Sequence, residues 1–466
     1  MKKILIIIFA LTLLPLYSVA QGFTLTVNSS IHADSLHLKM FDGKRDFCDT
    51  LSVPFSAKTV LKSKSVLRPG HYQVYADTSL LFDLLISEQK KQSMTVRVNG
   101  LEDVVFEDSP ENANCLEYNK KSAAYQNQRA ALRQEFQDAQ KTMQPYMLQT
   151  LAEKLMAQDL QIMQEAEAYK RQVMEENAGT LLASIVQFSQ EIPLPPEEYY
   201  RNRGMLLVYT IEHAFDYYPF ADTRMLSTPM VVYRLYEFAA NLLYLPPEEA
   251  GRYAALLLTQ AQADSRTYHF FFEWLQKTFG TIGTAYWNEE IYRAMLKNAL
   301  AYNGLSQSDR NFYQREMDIY NKNLPGNVAP DFPVLWSDGT KSSLHAVESE
   351  YLLLYFQNPD CPTCTEVRGR LAVNDELNRA IASGRLKVVT IYFEDDEALW
   401  RRYLQEKANP KYLHGWDFQG EINAKDLYDL RAIPYMFILD KDKKIIKKDI
   451  VENEISDALK ELKIIE

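Results

Sequence analysis

Two cysteines stand three positions apart, at Cys361 and Cys364, within the stretch YLLLYFQNPDCPTCTEVRGR that runs from Tyr351 to Arg370. Positions i and i+3 of a helix share a face, so their sulfurs can meet without unwinding the first turn. At a helix N-terminus the unpaired N–H groups and the positive end of the dipole favour a thiolate over a thiol. In that setting Cys361 is the candidate nucleophile for a disulfide sulfur, and Cys364 is the thiol that resolves the mixed disulfide. Pro362 suits an early helical position, where no N–H donor is needed.

The elements that would position this pair are legible around it. The apolar run Tyr351 to Phe356, bounded by Asn358-Pro359, reads as a buried strand. After the cysteines, Val367 and Leu371 sit four apart and Asp375-Glu376-Leu377 continues a helical pattern. Other readings of the four residues weigh less. A zinc site wants a second ligand pair, but the remaining cysteines, Cys48 and Cys115, lie far off in sequence. Covalent haem attachment needs His after the second Cys, where this chain has Thr365. A purely structural disulfide would close so short a loop that it adds little chain-entropy stabilisation.

A second signal is Arg431-Ala432-Ile433-Pro434-Tyr435-Met436-Phe437-Ile438-Leu439-Asp440. Tyr435 to Leu439 reads as a strand, and Asp440 to Lys443 turns it into Ile445-Ile446. Pro434 opens the strand, where proline is tolerated. With the C-x-x-C, these residues resemble the TlpA-like branch of the thioredoxin family. That resemblance implies a cis-proline at Pro434 packed against the dithiol, a substrate chain received by the Ile433 backbone, and a redox-active Cys361–Cys364 disulfide. It extends over about the last 140 residues. Ala329 to Phe332 with Asp338-Gly339 resembles the family's opening hairpin, Leu386 to Phe393 its next core strand, and Glu454 to Leu462 its closing helix. The segment around Leu399 to Trp416 takes the place of the extra segment that TlpA-like proteins carry.

The chain departs from that family at several positions. Asp360 replaces the Trp usual before the first Cys, and an adjacent carboxylate disfavours a thiolate. Tyr355 stands where thioredoxin has a buried acid, and Val367 where TlpA-like proteins have theirs. Glu366 and Glu394 read as solvated surface charges. Asn358 occupies the place of the Thr that peroxiredoxins need, which argues against peroxide reduction.

The N-terminal end reads as an exported protein's. Lys2 and Lys3 precede the apolar stretch Ile4 to Leu14, and Ser18-Val19-Ala20 offers small residues before Gln21, the pattern of a cleavable signal peptide. The expected address is the periplasm, without stable membrane insertion. The 466 residues carry a formal charge of −11, which argues against nucleic acid and anionic membrane surfaces as partners. Cys48 and Cys115 are open between buried free thiols and a structural disulfide. His32, His37 and His71 read as surface or satisfied side chains, so no metal is expected.

So long a chain exceeds a single core. The expected fold class is multidomain α+β, with an N-terminal β-sandwich-like domain, a central all-α domain and a C-terminal α/β thioredoxin fold. After the signal segment 1–20, residues 21–108 alternate, as in Phe23/Leu25/Val27, Leu36/Leu38/Met40 and Met94/Val96/Val98. Within them Leu67-Arg68-Pro69-Gly70-His71-Tyr72, with the later Val104-Val105-Phe106-Glu107-Asp108-Ser109, resembles a β-sandwich-like domain of unknown function found ahead of thioredoxin-like domains in exported bacterial proteins. Residues 109–179 read as a helical hairpin opened by Ser109-Pro110-Glu111 and broken at Gln144-Pro145. A spacer arm and a dimerisation surface are its two readings. Residues 180–323 are aromatic-rich, and the stretch from His213-Ala214-Phe215-Asp216 to Thr228-Pro229 resembles a helical domain, also of unknown function, that precedes thioredoxin-like modules. Tyr233, Leu235, Tyr236, Phe238 and Ala239 fit one helix face there, and Phe270, Phe271, Trp274 and Leu275 another. Leu324-Pro325-Gly326-Asn327 links to the last domain, 324–466.

The function expected from these readings is an exported thiol–disulfide oxidoreductase, leaning towards reductant. It would exchange disulfides with protein or peptide partners and with an electron-donor or acceptor protein. No cofactor is implied, since the dithiol carries the electrons. The competing class is a peptide- or glycan-binding module in which the thioredoxin fold is a scaffold.

Overall fold

The computed structural model of the chain describes residues 22–44, 46–87, 92–100, 103–282 and 284–465. The stretch read as a signal peptide lies outside the described residues. The chain divides into two compact units, the first ending at Phe279 and the second beginning at Gly280.

In the first unit, eight strands come first: β1 (Phe23–Ser29), β2 (Ser35–Phe41), β3 (Phe47–Pro54), β4 (Lys58–Ser63), β5 (Gly70–Ala76), β6 (Ser79–Ile86), β7 (Gln92–Gly100) and β8 (Asp103–Phe106). They form two four-stranded sheets, ordered β4-β1-β7-β8 and β3-β2-β5-β6. The alternating residues read from sequence point inward, and Phe23, Leu25, Val27, Leu36, Leu38, Met94, Val96 and Val98 share one core between the sheets. That is the expected sandwich. Gly43, at φ 79°, supplies the left-handed residue that the turn after β2 needs.

Two long helices come next, α1 (Pro110–Gln140) and α2 (Pro145–Glu176), each with proline in its first turn. Arg129 of α1 ties the two together, its guanidinium donating to Asp159 of α2 at 2.7 and 3.1 Å. Among the described residues five α-helices follow: α3 (Leu181–Phe188), α4 (Arg203–Glu212), α5 (Pro229–Leu242), α6 (Pro247–Ala261) and α7 (Ser265–Phe279). Phe215 lies within 6 Å of Phe188, Tyr218, Phe238 and Phe271, so the aromatic crowding is a packed core. Tyr233 is the exception on its predicted face: it is 68% exposed, because the α5 stripe runs through Val231, Val232, Leu235 and Phe238.

The second unit begins with α8 (Glu289–Ala301) and α9 (Gln307–Tyr320). Then come β9 (Pro333–Trp336), β10 (Lys341–Ser343), β11 (Tyr351–Phe356), α10 (Pro362–Ala372), α11 (Asp375–Ala382), β12 (Leu386–Tyr392), α12 (Glu397–Glu406), β13 (Leu413–Trp416), α13 (Glu421–Ala424), β14 (Tyr435–Asp440), β15 (Ile445–Lys448) and α14 (Ile455–Glu461). The seven strands make one mixed sheet, ordered β10-β9-β13-β12-β11-β14-β15, with β11, β12 and β13 parallel. Central strands covered on both faces read as continuous apolar runs, which is why β11 was legible. Its Leu353 and Tyr355 join the core beneath α10, α11 and α14, while Leu352, Leu354 and Phe356 join the opposite one.

Candidate active site

Cys361 is the N-cap of α10, and Pro362 is its first residue. Asn358 shapes the approach: its side chain accepts from the Asp360 N–H at 2.8 Å, and its carbonyl from the Cys361 N–H at 3.2 Å. The turn leaves the Cys361 sulfur over the open end of the helix, where it accepts from the Cys364 N–H at 3.1 Å. A thiolate there receives one of the N–H groups that the helix cannot satisfy.

The two sulfurs differ in surroundings. Cys361 is half-buried and Cys364 fully buried, and all four cysteines are free thiols in this structure. Burial, and then the hydrogen bond to the Cys361 sulfur, push the Cys364 thiol up to about 12. The arrangement is one accessible sulfur at the helix end and one protected sulfur that holds its proton.

Three groups frame the pair. The Ile433–Pro434 peptide is cis, and the Ile433 carbonyl lies 4.0 Å from the Cys361 sulfur. Tyr355, fully buried, donates its hydroxyl to the Cys364 carbonyl at 3.2 Å, and burial holds its pKa far above the usual phenol value. Arg368, one turn after Cys364, donates to the carbonyls of Asn358 and Pro359 at 3.4 and 3.2 Å, to Thr365 at 2.7 Å and to the side chain of Gln357. Its charge pulls the Cys364 pKa down against burial. Behind α10 a cavity of about 250 Å³ is lined by Tyr355, Arg368, Thr390, Tyr403 and Tyr412.

The four residues singled out from sequence, Cys361, Cys364, Ile433 and Pro434, thus lie at the ends of β11 and β14, which are neighbours in the sheet. Arg368 was missed, although its place four residues after Cys364 on a helix was a usable signal. Glu366 is exposed and pairs with Arg370 at 3.2 Å, and Glu394 is exposed. His37 and His71 bond to Ser52 and Asp83, each at 2.8 Å. Among the described residues no group of His, Cys, Asp and Glu is placed to hold a metal ion, and no helix is long and apolar enough to cross a membrane.

Residues 349–445 match the family described as thioredoxin-like, and residues 160–323 match a domain of unknown function (DUF5106). No curated protein matches the chain. Among solved structures, a thioredoxin-like protein from Bacteroides caccae is 24% identical over 58% of this chain and 97% of its own, with a TM-score of 0.53. The C-terminal domain of an uncharacterized protein from Bacteroides fragilis is 32% identical over 30% of this chain and 98% of its own, at a TM-score of 0.29. A thioredoxin domain of a thiol-disulfide oxidoreductase from Bacteroides vulgatus is 19% identical over 30% and 97%, at 0.26.

Proposed function

We propose, from a chain whose C-terminal region belongs to the thioredoxin-like family, that the protein is an exported thiol–disulfide oxidoreductase acting on protein or peptide disulfides. The observation that carries this reading is the asymmetry of the pair, an accessible Cys361 at a helix N-cap and a protonated Cys364 sealed beneath it.

The Cys361 thiolate attacks one sulfur of a substrate disulfide; a Cys361–substrate bond forms, the substrate's own S–S bond breaks, and the departing sulfur takes up a proton. Cys364 then loses its proton and attacks the Cys361 sulfur. The mixed disulfide breaks, the second substrate sulfur leaves as a thiol, and Cys361–Cys364 becomes the disulfide. Two electrons have passed to the substrate, and a separate electron donor must return the pair to the dithiol. The Ile433 backbone beside Cys361 offers an edge for an extended substrate chain. The high Cys364 pKa disfavours its thiolate, which supports the reducing direction. Export rests on the signal-peptide pattern of residues 1–20.

A Cys364→Ser variant tests the reading. Offered a disulfide-bonded peptide, it should accumulate a covalent Cys361–peptide adduct visible by mass spectrometry and released by reductant, while the wild type turns over without one. Peptide bound non-covalently and equally well by a Cys361→Ser Cys364→Ser variant, with no adduct, would favour the binding-module class instead.

A further inference from the structure

The region matched to the domain of unknown function runs through α8 and α9, yet both helices fold within the same unit as the dithiol. They reach the segment that leads into Pro434, and the strand β15, through two sets of charges. Arg431, two residues before Ile433, donates in bidentate fashion to the buried carboxylate of Asp429 at 2.9 and 3.0 Å. Its remaining nitrogen reaches both carboxylate oxygens of Glu316 on α9 at 3.3 and 3.4 Å, and the guanidinium lies 4.7 Å from the ring of Tyr320. On β15, Lys448 donates to Glu289 of α8 at 2.8 Å and to the Tyr320 carbonyl at 3.2 Å, with its side chain only 5% exposed.

Asp429 and Lys448 are deeply buried while Arg431 and Glu316 are only partly so, and pairs of either kind are poor fold glue, because desolvation or solvent screening cancels much of their attraction. What a bidentate guanidinium supplies is fixed direction. The segment that leads into Ile433 and the strand β15 are therefore tied to the same pair of helices.

We propose that Glu316 is a positioning residue of the dithiol site: acting through Arg431, it holds the Ile433 backbone where an extended peptide can pair beside Cys361. The helices at the end of the domain of unknown function thereby become part of the substrate-receiving apparatus. This rests on the oxidoreductase reading above. Glu316 touches neither substrate nor cysteine, and Gln in its place keeps the shape while Arg431 stays paired with Asp429.

The test is steady-state reduction of two substrates by the full chain and its Glu316→Gln and Glu316→Asp variants, with a small-molecule dithiol in excess as electron donor and its direct reaction subtracted: a disulfide-bonded peptide, which must lie along Ile433, and a small aromatic disulfide, which need only meet the Cys361 sulfur. Glu316→Gln should raise KM for the peptide roughly tenfold, with peptide kcat, small-disulfide turnover and the dithiol potential unchanged. Glu316→Asp should recover part of the loss. Equal losses on both substrates would assign Glu316 a general structural role and overturn the proposal, as would a peptide KM equal to the wild type's. A wild type that reduces neither disulfide would overturn the oxidoreductase reading itself and this proposal with it, an outcome distinct from the other two.

Discussion

At Cys364, burial and the neighbouring sulfur raise the thiol pKa while Arg368 lowers it. Arg368 is spent on Gln357, Asn358, Pro359 and Thr365, so one cation both tunes the pair and fixes the turn that leads into it. Asp449 shows the same competition outside the site. Burial, then the carboxylate of Glu289, push its carboxyl up to about 7, against the pull of Lys448. An unfolded Asp titrates near ~3.9. The folded chain thus holds this proton more tightly, and the contribution is present in full below about pH 4 and lost as pH rises to about 7. Asp449→Asn removes that dependence, and Asn tolerates the φ of 54° at this position. In denaturant titrations across pH, the variant should gain on the wild type from about pH 4 to 7, by at most about 4 kcal/mol, and hold that gain above. A pH-independent difference would contradict the assignment.

At the scale of elements, the helix that bears Cys361 owes its place to Asn358, Pro362 and the apolar β11, all local in sequence and all readable there. Joints between distant elements are different. The start of α3 is held by Glu111, on the first turn of α1: its buried carboxylate accepts from the Leu182 N–H at 3.1 Å and from the Ser87 hydroxyl at 2.9 Å. Ser87 in turn accepts from the Leu181 N–H at 3.3 Å. Glu111→Ala strands these donors in the interior, which costs about 2–4 kcal/mol. The thermal midpoint of the first unit should fall by several degrees, with the redox activity of the second unit intact at low temperature. No shift in that midpoint would show the joint to be dispensable.

At the scale of the molecule, the fold class was open to sequence reading because each layer has its own pattern: alternation in the sandwich, helical aromatics in the middle, continuous apolar runs in the mixed sheet. The segment read between Leu399 and Trp416 is a helix and strand, α12 and β13, and β13 slots between β12 and β9, a pairing no local pattern encodes. Likewise Glu316 and Arg431 meet across 115 residues. Leu324 to Asn327 reads as a linker, although α8 and α9 on one side of it are bonded to Lys448 and Arg431 on the other. Periodicity reports which face of an element is buried, and it is silent on the partner. The dithiol was legible because its chemistry needs only a short spacing; the charges behind it were not, because theirs is tertiary.

The most direct test is a thiol-trapping redox titration of the chain carrying Cys48→Ser and Cys115→Ala, which leaves Cys361 and Cys364 as the only thiols. The account predicts one reversible two-electron transition, with both cysteines moving together and a potential well below the ~ −120 mV of strong periplasmic oxidants. A pair that never closes, or that stays oxidised under strong reductant, would contradict a working dithiol; a transition near that oxidising value would keep the dithiol and reverse the direction of electron flow.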